Sequence, residues 1–319
     1  MKRLPLYLLL GMACTSQAWA QAWPQRPIKL INPFAAGGSV DFFARILAPK
    51  MSESLGQQVV VEARPGASGM TAVDSIAKGP ADGYNIVLAG PSSLTILPHL
   101  TKIPYSIDGE LALLTTVSRV PNLVTVNGKL GITSIDALVK AARQAPGKLN
   151  YGSSGSGGTL HLAGALLAQE LKIDIAHIPY KGVAPALTDL IGGQVQILVA
   201  NANVPLGQLK SGAARALAIT SPKRSPLLPD VPSVVELGHA ALISEDVYGL
   251  AVQAKTPQAI QDRIVQAATA SLRSTDVSDK YAEQAAVASA STPQEYRQWV
   301  QNESKRWAEV IQRNKISLE

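Results

Sequence analysis

Thiol chemistry is almost absent from this chain of 319 residues, whose one cysteine is Cys14. That residue lies within a leader pattern: Lys2 and Arg3, an apolar stretch from Leu4 to Ala13, then Ala18-Trp19-Ala20 ahead of Gln21. The pattern predicts a secretory signal peptide over residues 1–20, cleaved after Ala20. Gly11-Met12-Ala13 lacks the aliphatic residue expected three positions before a lipidated cysteine, which argues against an anchored form. Cleavage leaves a mature chain with no thiol, excluding disulfides, thiolate catalysis and cysteine-ligated metals. Export without disulfides points to a bacterial periplasm, where a large hydrophobic core replaces covalent staples.

Histidine is nearly as scarce. His99, His161, His177 and His239 are scattered, with no H-E-x-x-H or other ligand spacing, so neither a metal site nor a cofactor is expected. Loss of Lys2 and Arg3 lowers the formal charge from +6 to +4, and no Lys/Arg cluster interleaves with aromatics. Nucleic-acid binding needs such a stripe and is not expected, whereas a weak attraction for small anions is compatible with the charge. No apolar run after residue 20 approaches membrane length.

What the chain has is alternation. Short β-branched runs at 28–31, 59–61, 86–88, 123–126, 175–178, 195–199 and 216–219 read as buried strands separated by helical patterns, which predicts α/β units with parallel sheets. Phe43, Leu47, Met51 and Leu55 recur every four residues on one helix face, and Pro49 within that helix should kink or shorten it. Thr292-Pro293-Gln294-Glu295 has capping-box spacing ahead of a helix whose tryptophans belong to the core, and Thr256-Pro257 opens another helix in the same way. Two apolar stretches, 118–127 and 246–255, can pass between sheets. They predict a discontinuous first domain, 21–122 with 246–319, and an inserted second one, 123–245.

Two glycine-rich turns carry the chemistry. The first, Pro33-Phe34-Ala35-Ala36-Gly37-Gly38-Ser39-Val40-Asp41, runs from a strand into a helix start. Glycine lets backbone approach a ligand, and the unpaired N–H groups of a first helical turn favour an anion. Asp41 would repel that anion if it faced it, so its expected task is to brace the loop. The second, Gly152-Ser153-Ser154-Gly155-Ser156-Gly157-Gly158-Thr159, repeats the pattern ahead of His161, which can donate to a ligand or pack. One such loop per domain predicts a shared cleft. Gly90-Pro91-Ser92-Ser93 can add a third polar loop, and Lys181 after Pro179-Tyr180 can pair with an anion or stay solvated. No Lys-Ser/Thr follows the glycines as in a P-loop, and no G-x-S-x-G occurs. Ser75-Ile76-Ala77-Lys78 matches S-x-x-K, but the chain has no Ser-x-Asn or Tyr-x-Asn, leaving an exported serine hydrolase a weak competitor and no catalytic residue expected.

Several motifs in one order resemble the Bug receptors, substrate-binding proteins of the tripartite tricarboxylate transporter class: Trp23-Pro24-Gln25-Arg26-Pro27, the first glycine turn, Val61-Glu62-Ala63-Arg64-Pro65-Gly66, Ala81-Asp82-Gly83-Tyr84, Tyr151-Gly152-Ser153-Ser154-Gly155, Ile178-Pro179-Tyr180-Lys181-Gly182 and Arg215-Ala216-Leu217-Ala218-Ile219-Thr220. The resemblance implies a periplasmic binding protein type II fold, two α/β domains joined by a two-strand hinge with the ligand cleft between them. It also implies a monomer that binds a small carboxylate and delivers it to inner-membrane permease subunits; a sensor presenting the bound form to a signalling partner shares every feature. Carried over by position, the carboxylate grip falls on Phe34, Ala35, Gly37, Gly38, Ser153, Gly155 and Thr159. The wider candidate set adds Asp41, Ser92, Ser93, Ser156, Gly158, His161, Asn201 and Tyr248. Two positions depart from the family: Gly158 stands where a second serine is usual, and Ala200-Asn201 stands where many members carry Asp-Asn. The latter removes the partner that a ligand amine would have had.

Overall fold

The computed structural model describes residues 23–318; the expected signal peptide and its cleavage site lie outside them. The first elements are β1 (Ile28–Asn32), α1 (Ser39–Leu55), β2 (Val59–Ala63), α2 (Met70–Ala77), β3 (Asn85–Ala89), and the one-turn helices α3 (Leu97–Leu100) and α4 (Ile107–Glu110). A long strand β4 (Leu111–Asn127) leads into α5 (Ile135–Gln144), β5 (Leu149–Ser153), α6 (Thr159–Leu171), β6 (Ile175–Pro179), α7 (Val183–Gly192), β7 (Ile197–Asn201), α8 (Leu206–Lys210) and β8 (Ala214–Ile219). The chain ends with β9 (Glu245–Gln253), α9 (Gln258–Leu272), α10 (Thr275–Ala282), β10 (Val287–Ala288) and α11 (Pro293–Asn314).

Strand pairing divides the molecule around β4. Its first part, Leu111 to Pro121, pairs antiparallel with β9, and β9 continues through β3 and β1 to β2. Its second part, Asn122 to Asn127, lies between β7 and β8, and β7 continues through β5 to β6. The parallel pairs β1–β2, β1–β3, β5–β6 and β5–β7 are the α/β units that the alternation predicts. One strand thus serves both halves. β9 ends its pairing with β4 at Glu245 opposite Pro121, so both strands cross between the halves at the same level.

Each half has its own core. Around β1 and β3, Phe43, Leu47, Met51 and Leu55 of α1 meet Ile264 and Leu272 of α9. Around β7, Leu138 of α5, Leu167 of α6 and Tyr151 form the second core. Helix α1 runs through Pro49 to Leu55 and is not shortened, because the buried positions on either side of Pro49 hold the helix where proline removes one hydrogen bond. Thr292 accepts from Glu295 N and Glu295 reaches back to Thr292 N, the expected capping box. Helix α9 instead begins one residue later than its Thr-Pro pattern suggests, with Pro257 as the cap and no side-chain capping bond. Trp307 is buried with Ile311, Ile96 and Leu162, so α11 reaches from the first half onto α6 of the second; Trp299 is only partly buried.

Three strand expectations change. The runs at 118–127 and 123–126 are pieces of the single strand β4, β7 lies two residues later than expected, and β5 takes up residues read as part of the second turn. Gly152 belongs in that strand because a Cβ there would already stand 3.3 Å from Tyr180 and 3.4 Å from Ala186. No helix among the described residues is long and apolar enough to cross a membrane.

Candidate functional site

A cavity of about 170 Å³ opens between the two halves where their glycine turns meet. Three helices begin at its wall. Ser39 and Val40 open α1, Thr159 and Leu160 open α6, and Val183 and Ala184 open α7, and all six residues line the cavity. The caps are Gly38, Gly158 and Gly182, none of which can offer a side-chain bond to the first-turn N–H groups. The positive ends of three helix dipoles therefore converge on one space, an arrangement that favours negative charge, although the first N–H of α6, Thr159 N, already donates to Ser92 Oγ at 3.4 Å. Gly182 has φ 111°, a left-handed conformation that a side chain would strain. Gly38 and Gly158, with φ −88° and −92°, are ordinary in backbone terms; Gly38 provides the missing side chain at the wall, and Gly158 leaves room behind it for Ser92.

Asp41 faces away from this space. Its Oδ2 accepts from Gly37 N at 3.1 Å and from Arg45 Nε at 2.8 Å, while Oδ1 accepts from Asn32 Nδ2 at 3.3 Å. Asn32 Oδ1 in turn accepts from Phe34 N at 3.0 Å, so one chain of hydrogen bonds holds the turn from both ends. Burial acts to raise the Asp41 pKa, but the bonds from Arg45, Gly37 and Asn32 outweigh it and hold the carboxyl below its ordinary value.

The two rims touch through polar groups. Ser39 Oγ lies 2.8 Å from Asn203 Oδ1 and 3.1 Å from Asn201 Oδ1, and Ser68 Oγ donates to Ser156 O at 3.0 Å. Ser92 Oγ lies 3.5 Å from Thr159 Oγ1. Beneath them Asn201 Nδ2 donates to Asn122 Oδ1 at 2.9 Å and to Asp246 Oδ2 at 2.7 Å, which joins the cavity floor to both crossing strands.

Of the residues expected from the sequence, Phe34, Ala35, Gly38, Ser92, Thr159, Asn201 and Tyr248 line the cavity together. The others support it from behind or lie beside it. Gly158 caps α6 with Ser92 Oγ 3.5 Å from where its Cβ would be, and Gly37 lies on the outer side of the first turn. Ser93 is buried and donates to Gly90 O. Ser153 is fully buried, with Oγ 2.7 Å from His177 Nε2 and donating to Gly155 O at 3.1 Å, so it stiffens the second turn. Ser156 offers its carbonyl to Ser68. His161 stacks on His177 with ring centroids 3.9 Å apart, and its Nδ1 accepts from Gly157 N, the packing alternative for this residue. Burial, then the neighbouring His161, pushes the His177 pKa down to about 3.

Sequence reasoning passed over Ser39, Ser154, Asp246 and the Val183-Ala184-Pro185 segment, all of which line the cavity with Lys181. The glycine before Val183 was a usable signal for the third helix start. Asp246 had none, because only the pairing of β4 with both β7 and β9 places it beside Asn201. The S-x-x-K pair lies elsewhere: Ser75 donates to Ala72 O and accepts from Arg64, and Lys78 pairs with Asp74 at 2.6 Å. Among the described residues no group of His, Cys, Asp and Glu is arranged to hold a metal ion.

Residues 43–316 match the family described as the tripartite tricarboxylate transporter family receptor. Protein BugT of Bordetella pertussis is 35% identical over 304 residues, covering 94% of this chain and 92% of that protein. Among solved structures, an R. palustris protein with adipate has a TM-score of 0.89 at 33% identity, covering 93% of this chain and 99% of that one. The periplasmic binding protein BugD has a TM-score of 0.87 at 30% identity over 93% of this chain and all of that one. MatC from Rhodopseudomonas palustris, with bound malate, has a TM-score of 0.85 at 26% identity over 91% of this chain and 100% of that chain. The architecture is accordingly that of a two-domain periplasmic binding protein of type II, as the motif order implied.

Proposed function

The chain belongs to the tripartite tricarboxylate transporter receptor family, also known as the Bug family, and on that premise we propose that it is a periplasmic receptor for a small carboxylate. In this reading residues 1–20 direct export, cleavage follows Ala20, and the mature monomer delivers its ligand to the permease subunits of a tripartite-type transporter. The two moving bodies are 21–122 with 246–319, and 123–245. No residue has a catalytic role. The observation that carries the reading is the convergence of three glycine-capped helix N-termini on one cavity between the halves. A carboxylate there accepts from first-turn N–H groups of α1 and α7 that their glycine caps leave open, and at α6 it competes with Ser92 Oγ for Thr159 N; preformed donors cost little ordering on binding. The relatives solved with adipate and malate support the ligand class.

Phe34, Ala35, Gly38, Ser39, Thr159 and Val183 are assigned to ligand contact, and Gly37, Asp41, Ser153 and Gly155 to holding the turns in shape. The test is a thermal-shift screen of the mature protein against carboxylic acids, followed by calorimetry on those that raise the melting temperature. A ligand at one hundred times its Kd stabilises the folded form by about 2.7 kcal/mol. A screen in which no carboxylate shifts the melting temperature, or in which the product of turnover accumulates, overturns the receptor reading.

A further inference from the structure

Asp246 differs from the rest of the cavity wall. It is 2% exposed, it is the only acidic side chain lining the cavity among the described residues, and Lys181 is the only basic one. Its Oδ2 accepts from Asn201 Nδ2 at 2.7 Å and from Tyr248 Oη at 3.2 Å. Its Oδ1 is buried and has no hydrogen-bond partner among the described residues. The Thr159 hydroxyl also favours the charged carboxylate, and the three groups that do so, Asn201, Thr159 and Tyr248, are all neutral. Burial outweighs the bonds from Asn201, Thr159 and Tyr248 and holds the Asp246 pKa above its ordinary value, so the charged form is the one that a cationic partner would restore. An acid held among neutral donors with one oxygen unused is expensive to keep, and an occupant of the cavity is what can complete it.

We infer that Asp246 is a specificity-determining residue that accepts a hydrogen bond from the ligand, from an ammonium in preference to a hydroxyl, and so selects amino-substituted carboxylates over plain ones. The inference rests on the carboxylate-receptor reading and names the second group of that ligand. The helix N-termini and Lys181 favour the negative end of a ligand, and Asp246 favours a donating end, which makes the cavity bipolar. A hydroxyl satisfies the open lone pairs, but only a cation also offsets the buried charge. The same geometry revises what Ala200 implied. Ala200 on β7 is opposite Leu123, and Asp246 on β9 is opposite Val120, so an acid reaches Asn201 from the other side of β4. The partner for an amine is supplied by a different strand.

Calorimetry on the mature protein with matched compounds tests this: succinate, L-malate and L-aspartate; glutarate, 2-hydroxyglutarate and L-glutamate; propionate, L-lactate and L-alanine. Within each series the acid is constant and only the substituent changes from hydrogen to hydroxyl to ammonium. In the series that binds, the amino member is expected to be tighter than the unsubstituted one by about tenfold or more, with the hydroxy member between. Asp246→Asn keeps the shape and the bond to Tyr248 while removing the charge. It is expected to weaken the amino member by about tenfold and to change the unsubstituted one by less than about threefold. Equal or tighter binding of the unsubstituted acid overturns the inference and leaves the receptor reading standing. Parallel weakening of all members by Asp246→Asn also overturns it, since that is the signature of a merely structural residue. If the variant fails to fold, the wild-type ranking decides. If none of these binds, the same three substituents are compared on the acid that the thermal-shift screen identifies; if that screen finds no carboxylate, the receptor reading itself fails and the inference with it.

Discussion

Replacing Asp41 tests whether the first turn is held by its brace rather than by the ligand. In Asp41→Ala the Asn32 amide, 0% exposed, loses its acceptor, and a buried donor left unpaired costs about 1–3 kcal/mol. Gly37 N is at an exposed position and turns to water, so its bond contributes about 1 kcal/mol or less. The Arg45 side chain is 59% exposed, and an ion pair with so solvated a partner is worth little. Loss of a negative charge from the first turn of α1 adds about 0.3–1 kcal/mol. The expected total is about 3 kcal/mol, read as a lowered urea midpoint with an unchanged m-value. Asp41→Asn preserves the outline and one acceptor and should cost about half as much. Because the Asp41 pKa is held below its ordinary value, its contribution is complete at neutral pH and disappears as pH falls through the carboxylate range. The gap between wild type and Asp41→Asn should therefore close in acid. Both variants should also bind carboxylate about tenfold more weakly, since the turn must then be ordered at the moment of binding. A stability loss with unchanged affinity would show that the brace is irrelevant to the site, and an unchanged urea midpoint would refute the hydrogen-bond reasoning outright.

Three other outcomes are expected. Gly38→Phe should fold normally, because a Cβ there meets only Ala35 O at 3.8 Å, yet calorimetry should find binding abolished as the ring occupies the wall of the cavity. Gly164→Ala should cost about 3 kcal/mol in denaturant unfolding, since its Cβ would fall 2.1 Å from the ring of the buried Tyr151, whose hydroxyl is tied to His161 O. His177 is held neutral in the fold with a pKa of about 3, below its ordinary 6.5, so its contribution is complete above pH 6.5 and is lost as pH falls. Between pH 7 and pH 5 His177 alone should cost the fold about 2 kcal/mol, read as the difference between the pH slopes of wild type and His177→Gln; identical slopes in the two proteins would refute the assignment.

The parts of this fold that could be read from sequence are those set by local physics. Phe43, Leu47, Met51 and Leu55 announce a helix by spacing, Thr292 and Glu295 announce its start by capping, and a glycine turn after Ile31 announces a helix N-terminus. The parts that could not be read depend on partners distant in sequence. Asn150, Tyr151 and Gly152 have the composition of a turn, and only the approach of Tyr180, Ala186 and Leu198 explains why glycine belongs in a strand there. Arg119, Pro121 and Asn122 interrupt the apolar pattern of β4 at the place where it changes partners, so one strand resembles two. Asp246 looks like a surface acid beside Glu245, until β9 is laid against β4 and buries it.

That crossing level also explains how occupancy of the cavity can reach the hinge. Asn201 holds Asn122 on β4 with one bond and Asp246 on β9 with another, and Asn122 is itself bound to Thr220 and Ser244 where the second crossing begins. If the ligand docks on Asp246 as proposed, it pulls on the amide that ties the two crossing strands together. Closure needs a ligand that contacts both halves more fully in the closed form, because a ligand shifts an equilibrium only by its difference in affinity between the two states. The cavity lining allows such a ligand on the proposed reading: the start of α1 lies in one half, the starts of α6 and α7 in the other, and Asp246 beside the crossing strands. A plain monocarboxylate satisfies the donors without engaging the acceptor and leaves part of the closing free energy unused. Where the added affinity comes from contacts made only in the closed form, the order of affinities is also the order of closure, and small-angle scattering of each bound form should then rank the series as calorimetry does; a mismatch assigns the added affinity to contacts made in both states.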